Sequence, residues 1–147
     1  MNYKATTESI LHQLGIGKSY SGYYYISYAM DLLIQDETEL DCITKILYFD
    51  VAKQYQTSPA CVERNIRKVI DVIWKHKDEN QKIIIKIFGI KYASNKPSNK
   101  AFLELLYEYA RFHHTIEDVL QLEKIICPIS KQVCNTCYEL IEKIIEF

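Results

Sequence analysis

The chain has 147 residues, of which 48% are hydrophobic and 25% charged, and its formal net charge is −1. That length and mixture suit one globular domain that buries its core without disulfides or metal. They exclude a membrane span, since no stretch reaches roughly 18 apolar residues, and "KIIIKIFGIKY" is broken by lysines. Net charge alone decides nothing about a polyanion partner.

Only 4 Gly and 3 Pro are present, and apolar residues recur at helical spacing almost throughout, so an all-α fold is expected. The N-terminus "MNYKATTESILHQLG" lacks the apolar core and small-residue cleavage site of a signal peptide. A first helix is expected over Thr7–Leu14, with Ile10, Leu11 and Leu14 on one face. "GIGKSYSG" reads as a loop. Tyr23–Gln35 reads as a second helix, although its tyrosines (Tyr23, Tyr24, Tyr25, Tyr28) also fit a strand. Packing explains them better than base stacking, because a DNA duplex exposes no base faces.

A third helix is expected over Leu40–Tyr48, with Ile43, Ile46 and Leu47 apolar. A short fourth is expected over Asp50–Tyr55, with Asp50 as its cap. "QTS" is a turn. Ser58 then has the character of an N-cap with Pro59 at the first helical position, and the helix runs to Lys75. "KHKDEN" is a polar break. Gln81–Phe88 is a further helix, stopped by Gly89. Asn99 or Ser98 caps a helix running to about His113. Beyond it, "TIEDVLQLEKII" opens on Thr115 with Asp118 three residues on, a capping-box-like start. Pro128 interrupts, and "SKQVCNTCYELIEKIIEF" reads as a last amphipathic helix.

Charge is unevenly spread. Residues 41–111 carry 13 Lys and Arg against 8 Asp and Glu, while the segments on either side are each acidic by three charges. A basic middle is the distribution expected of a segment that meets phosphates.

The stretch from Asp50 to Ile73 has the form of a helix-turn-helix: a short helix, a tight turn and a second helix packed across it. Ala52 supplies the small residue where the two helices touch. Val62, Ile66, Val69, Ile70 and Ile73 form one apolar face. At ~100° per residue, Arg64, Arg67, Asp71 and Lys75 fall opposite it, with Glu63 and Lys68 on its flanks. Arg64 and Arg67 then face outward near the helix N-terminus, where a recognition helix reads base edges. Arginine bonds guanine O6 and N7, and glutamate accepts from cytosine N4. An ordinary solvated helix face would carry similar charges. The turn also lacks the glycine many such motifs carry, with Gln56 near that position.

Several blocks, in order, carry a resemblance. They are "ILHQLGI", "GYYYISYAM", "ITKILYFDVAKQYQTS", "VERNIRKVIDVIW", "IFG" and "NKPSNKAF". Residues from about Thr6 to Phe112 resemble the C-terminal DNA-binding domain family of stage 0 sporulation protein A, a response regulator. The resemblance implies a six-helix fold containing a helix-turn-helix that binds short promoter elements in the major groove. It puts the family's base-contacting residues on Glu63, Arg64 and Arg67, within a recognition helix at 59–75. It matches the family's Lys-Pro-Thr-Asn stretch to Lys96, Pro97, Ser98 and Asn99. Ser58, Lys68, Lys96, Ser98, Asn99 and Lys100 are accordingly the candidates for phosphate contact.

The chain departs from the family in places. Family members usually carry an N-terminal phosphoacceptor domain, whereas this sequence begins near the start of the effector domain. Switching by aspartyl phosphorylation is therefore not expected, unless the sequence is a piece of a longer chain. Cys61 stands where the family usually has a basic residue, and Phe49 where it has proline. "SYS" lacks an expected basic residue, and the loop before "KPSN" is shorter. Fewer phosphate contacts would lower affinity and salt dependence.

Residues 113–147 match nothing in the family domain. They are expected to form a helical extension to a 1–112 domain, used for packing or dimerisation. Cys134-x2-Cys137 is half of a zinc site without its second pair, so reduced thiols in a cytoplasmic protein are expected, with no metal. No phosphate-binding glycine loop or nucleophile motif is present, so neither an enzyme nor a cofactor is expected.

The sequence thus points to a sequence-specific transcriptional regulator that binds double-stranded promoter DNA, with a homodimer and a pairing with a full-length sporulation regulator as options and the oligomeric state left open. The alternative is an interaction protein without a receiver that antagonises that regulator.

Overall fold

The computed structural model describes the backbone over residues 3–123, and the side chains over residues 3–113 apart from positions 37, 40, 43 and 44. Among the described residues there are six α-helices and no strand. The helices are α1 (Tyr3–Gln13), α2 (Ser21–Gln35), α3 (Tyr48–Gln54), α4 (Pro59–Lys75), α5 (Gln81–Phe88) and α6 (Asn99–Glu123). Short 3₁₀ turns lie at Glu37–Leu40 and Ile90–Tyr92, and a π-helical turn at Ile43–Leu47 leads into α3. The chain divides into two compact units, the first ending at Ala110.

Several boundaries differ from those expected. Helix α1 begins at Tyr3, earlier than the expected Thr7. The Thr7 hydroxyl donates back to the Tyr3 carbonyl at 2.9 Å, a bond made inside a helix. The tyrosine-rich segment is helical and not a strand. Tyr20 supplies the extended residue before it, and Ser27 donates within the helix to the Tyr23 carbonyl at 2.8 Å.

The continuous helix expected over Leu40–Tyr48 is replaced by the 3₁₀ turn and the π turn. The Asp36 carboxylate caps the first of these by accepting from Thr38 N at 3.0 Å. The wider π turn re-aims the residues that follow. Leu47 and Tyr48 are buried, while Ile46, expected on the apolar face, is exposed. Asp50 is not a cap. It sits within the first turn of α3, where its charge favours the helix N-terminus. Helix α6 does not stop at His113 but continues to Glu123. Thr115 suits a cap, yet "RFHHTIED" contains no Gly or Pro, and an established helix propagates through residues that merely prefer its ends. Pro128, the final helix and Cys127, Cys134 and Cys137 lie outside the described residues.

The core of the first unit is built around α2 and α4. Leu11 and Leu14, Tyr23, Ile26, Met30 and Leu33 of α2, and Ile66, Ile70 and Ile73 of α4 belong to one buried cluster. α2 packs on both α1 and α4, and α3 packs on α4. Trp74, at the end of α4, stands edge-on to Phe88 at 5.3 Å between ring centres, and Phe88 stacks on Phe102 at 5.1 Å. The indole N–H donates to the Tyr92 carbonyl at 2.9 Å, so its polar tip is satisfied. Helix α5 ends at Gly89, whose φ of +90° a residue with a Cβ rarely adopts.

Candidate nucleic-acid interface

Helix α3 turns into α4 through Gln56, at φ 53°. This left-handed residue occupies the place where a glycine would be expected, and it lets the Thr57 N–H reach the Ala52 carbonyl at 2.9 Å. Ala52 is buried at the contact. The Ser58 side chain then accepts from Cys61 N at 3.2 Å, with Pro59 in the first turn. The start and end of α4 therefore coincide with those read from the sequence.

The apolar stripe of α4 faces the core. Val62, Ile66, Val69, Ile70 and Ile73 are all buried, as is Trp74. Arg64, Arg67, Lys68, Asp71 and Lys75 are exposed, and Glu63 is half-buried. The Glu63 carboxylate pairs with the Arg67 guanidinium one turn on, an i, i+4 arrangement that suits a helix. The two side chains therefore lie along one edge of the outward face.

Helix α6 brings a second N-terminus to the same edge. The Ser98 hydroxyl caps it by accepting from Ala101 N at 3.2 Å. Between the two helix starts lies a cleft of about 680 Å³, lined by Tyr48, Pro59, Arg67, Lys96, Ser98 and Lys100 among others. Residues of both helix starts line it together with three cations, of which Arg67 and Lys96 are paired with the Glu63 and Asp71 carboxylates.

The candidate residues do not all converge on this cleft. Glu63, Arg67, Lys96, Ser98, Asn99 and Lys100 line it, whereas Ser58, Arg64 and Lys68 do not. Arg64 instead interacts with Cys61. Lys96 pairs with the Asp71 carboxylate, which ties the loop before α6 to the middle of α4. The Asn99 amide nitrogen donates to the Glu63 carbonyl at 3.0 Å and to the Tyr48 hydroxyl at 3.1 Å.

Three further residues shape the site. Tyr48 is buried at the floor of the cleft. Burial pushes its phenol above the ordinary value, against the Asn99 bond and the Arg67 charge, which pull it down. Asp71 holds Lys96. Asn65 donates to the Cys61 carbonyl at 2.8 Å and to its Sγ at 3.3 Å. The Cys61 thiol is held below its ordinary value, first by a hydrogen bond with Thr57. Burial opposes this, and the Arg64 bond and charge and a bond with Tyr25 assist it. Tyr48 gave no signal in the sequence, because a tyrosine in an apolar pattern reads as core.

Residues 7–110 match the family model described as Sporulation initiation factor Spo0A C terminal. The chain belongs to that family. The Spo0A C-terminal family consists of all-α DNA-binding domains, and its matched span contains both helix starts and the whole cleft. No helix among the described residues is long and apolar enough to cross a membrane. Among them, too, no three His, Cys, Asp or Glu residues converge as a metal site.

Proposed function

We propose that this chain is a sequence-specific transcriptional regulator related to sporulation initiation, with α4 in the major groove of promoter DNA. The observation that carries this reading is the outward face of α4 beside a second helix N-terminus. Arg64 and Arg67 stand exposed on a helix whose opposite face is wholly buried, and the Ser98–Lys100 start of α6 lies next to it. In this reading Glu63, Arg64 and Arg67 meet base edges. Ser58, Lys68, Ser98 and Lys100 meet the phosphates on either side, through side chains and helix N–H groups.

Selection from a random duplex pool tests it. The wild-type chain is expected to enrich a short motif. Arg64→Ala or Arg67→Ala should weaken binding to that motif by about 1–3 kcal/mol and relax preference at one position. Lys68→Ala and Lys100→Ala should weaken all sequences alike and reduce the salt slope by about one. Failure to enrich any motif, with stable capture of a full-length sporulation regulator, would replace this reading with that of an interaction protein.

A further inference from the structure

Asn99 is the first residue of α6 and was expected to touch phosphate, yet its side chain reaches back into the domain. Its amide nitrogen lies 3.0 Å from the Glu63 carbonyl oxygen and 3.1 Å from the Tyr48 hydroxyl. A carbonyl only accepts, so the nitrogen and not the oxygen of the amide must face it. A primary amide has two N–H hydrogens, and both are used in these bonds. What remains on the side chain is an acceptor oxygen, which a phosphate would not bind, so a phosphate contact at Asn99 is left to its main-chain N–H.

The three groups joined by this amide belong to three elements. Tyr48 opens α3 and is 3% exposed. Glu63 lies in the second turn of α4, next to Arg64 and one turn before Arg67. Asn99 opens α6, directly after the capping Ser98. Base reading tolerates errors of about 0.5 Å in the placement of contacting groups. Bonds to a main-chain carbonyl and to a buried hydroxyl set such a distance better than a contact between mobile side chains.

We propose that Asn99 is a positioning residue for base reading. Backed by Tyr48, it fixes the spacing between the recognition helix and the start of α6. Contacts to bases from α4 and to phosphates from α6 are then made in one register. The inference rests on α4 being the base-reading helix.

The test measures binding of Asn99→Ala, Tyr48→Phe and the double variant to two duplexes. One carries the motif enriched by the wild-type chain, and the other is a scrambled duplex of equal length and composition. Each single variant is expected to lose roughly 3- to 10-fold on the motif, with affinity for the scrambled duplex and the salt slope unchanged. The double variant is expected to lose no more than Asn99→Ala alone, since both changes break one network.

Equal losses on both duplexes with a shallower salt slope would overturn the proposal and make Asn99 a phosphate contact. No loss on either duplex would overturn it as well. Tyr48→Phe keeps the buried ring, so it decides the matter alone if thermal unfolding shows Asn99→Ala to be misfolded. Arg64→Ala is measured in the same series. If it too is silent on the motif, the assignment of α4 has failed, and not only the role of Asn99.

Discussion

The backbone of Gly22 lies directly against the main chain of Asn65. A Cβ on Gly22 would fall 2.5 Å from the Asn65 carbonyl oxygen and 2.5 Å from Val69 Cγ2. Helix α2 therefore seats α4 backbone to backbone. Gly22→Ala cannot be absorbed by a side-chain rotation, because one of the atoms it meets is main chain. It is expected to destabilise the fold by about 1–3 kcal/mol, the usual range for overpacking, despite alanine's better helix propensity. Urea denaturation checks this, and an unchanged or raised midpoint would show that the two helices are free to separate.

The turn before α4 makes the opposite prediction. Gln56 holds φ 53°, a conformation that costs a residue with a Cβ about 1–2 kcal/mol. Glycine removes that cost but adds about 0.5–1 kcal/mol of backbone entropy to be lost on folding. Gln56→Gly is expected to stabilise the chain slightly, by about 0.5–1 kcal/mol, and to leave DNA affinity unchanged. Its denaturation midpoint should rise, and a fall would contradict the left-handed turn.

Glu39 supplies a dependence on pH. Burial, followed by the negative charges of Asp50 and Asp36, pushes its carboxyl above the ordinary range. Its Oε2 is buried without a hydrogen bond, and the approach of the Asp50 carboxyl further favours the proton. The fold thus favours the protonated acid. The stability linked to this group is complete below the ordinary carboxylate range and declines as pH rises through the raised folded value. Glu39→Gln mimics the neutral form. It should match the wild type at about pH 4 and melt higher at about pH 7. Thermal melts at both pH values check the sign, and a variant less stable at the higher pH would reverse it.

Cys61 can be titrated by its chemistry. The thiolate is the reactive form, and its pKa here is depressed mainly by the Thr57 bond. The rate of iodoacetamide labelling at Cys61, followed by peptide mass spectrometry, should rise with a midpoint below that of the unfolded chain. Thr57→Val is expected to move that midpoint upward, and Arg64→Ala to move it upward as well. A midpoint at or above the unfolded value would contradict the geometry around this thiol.

Local chemistry was readable in the sequence, and distant pairing was not. The Ser58-Pro59 start, the stripe from Val62 to Ile73 and the Gly89 stop depend on residues within a turn or two of each other. All three appear where expected. The 40–48 region misled because Ile43, Ile46 and Leu47 satisfy a regular helical spacing as well as a widened turn. Spacing carries no information about which of the two the packing selects. The Asn99 bonds link residues 51 and 36 positions apart, and the Lys96–Asp71 pair spans 25. No periodicity reports such partners. The family blocks singled out Glu63, Lys96 and Asn99 as candidate contacts but said nothing of their partners Tyr48 and Asp71.

The π turn at Ile43–Leu47 has a consequence for chain length. Such a turn accommodates one residue more than a regular helical turn. It lies between the capped 3₁₀ turn at Asp36 and the start of α3. A one-residue deletion there could relax into ordinary helix, whereas the same deletion inside α4 would rotate every later side chain off its face. The segment ahead of α3 is thus where related sequences can differ in length while the outward face of α4 keeps its aim.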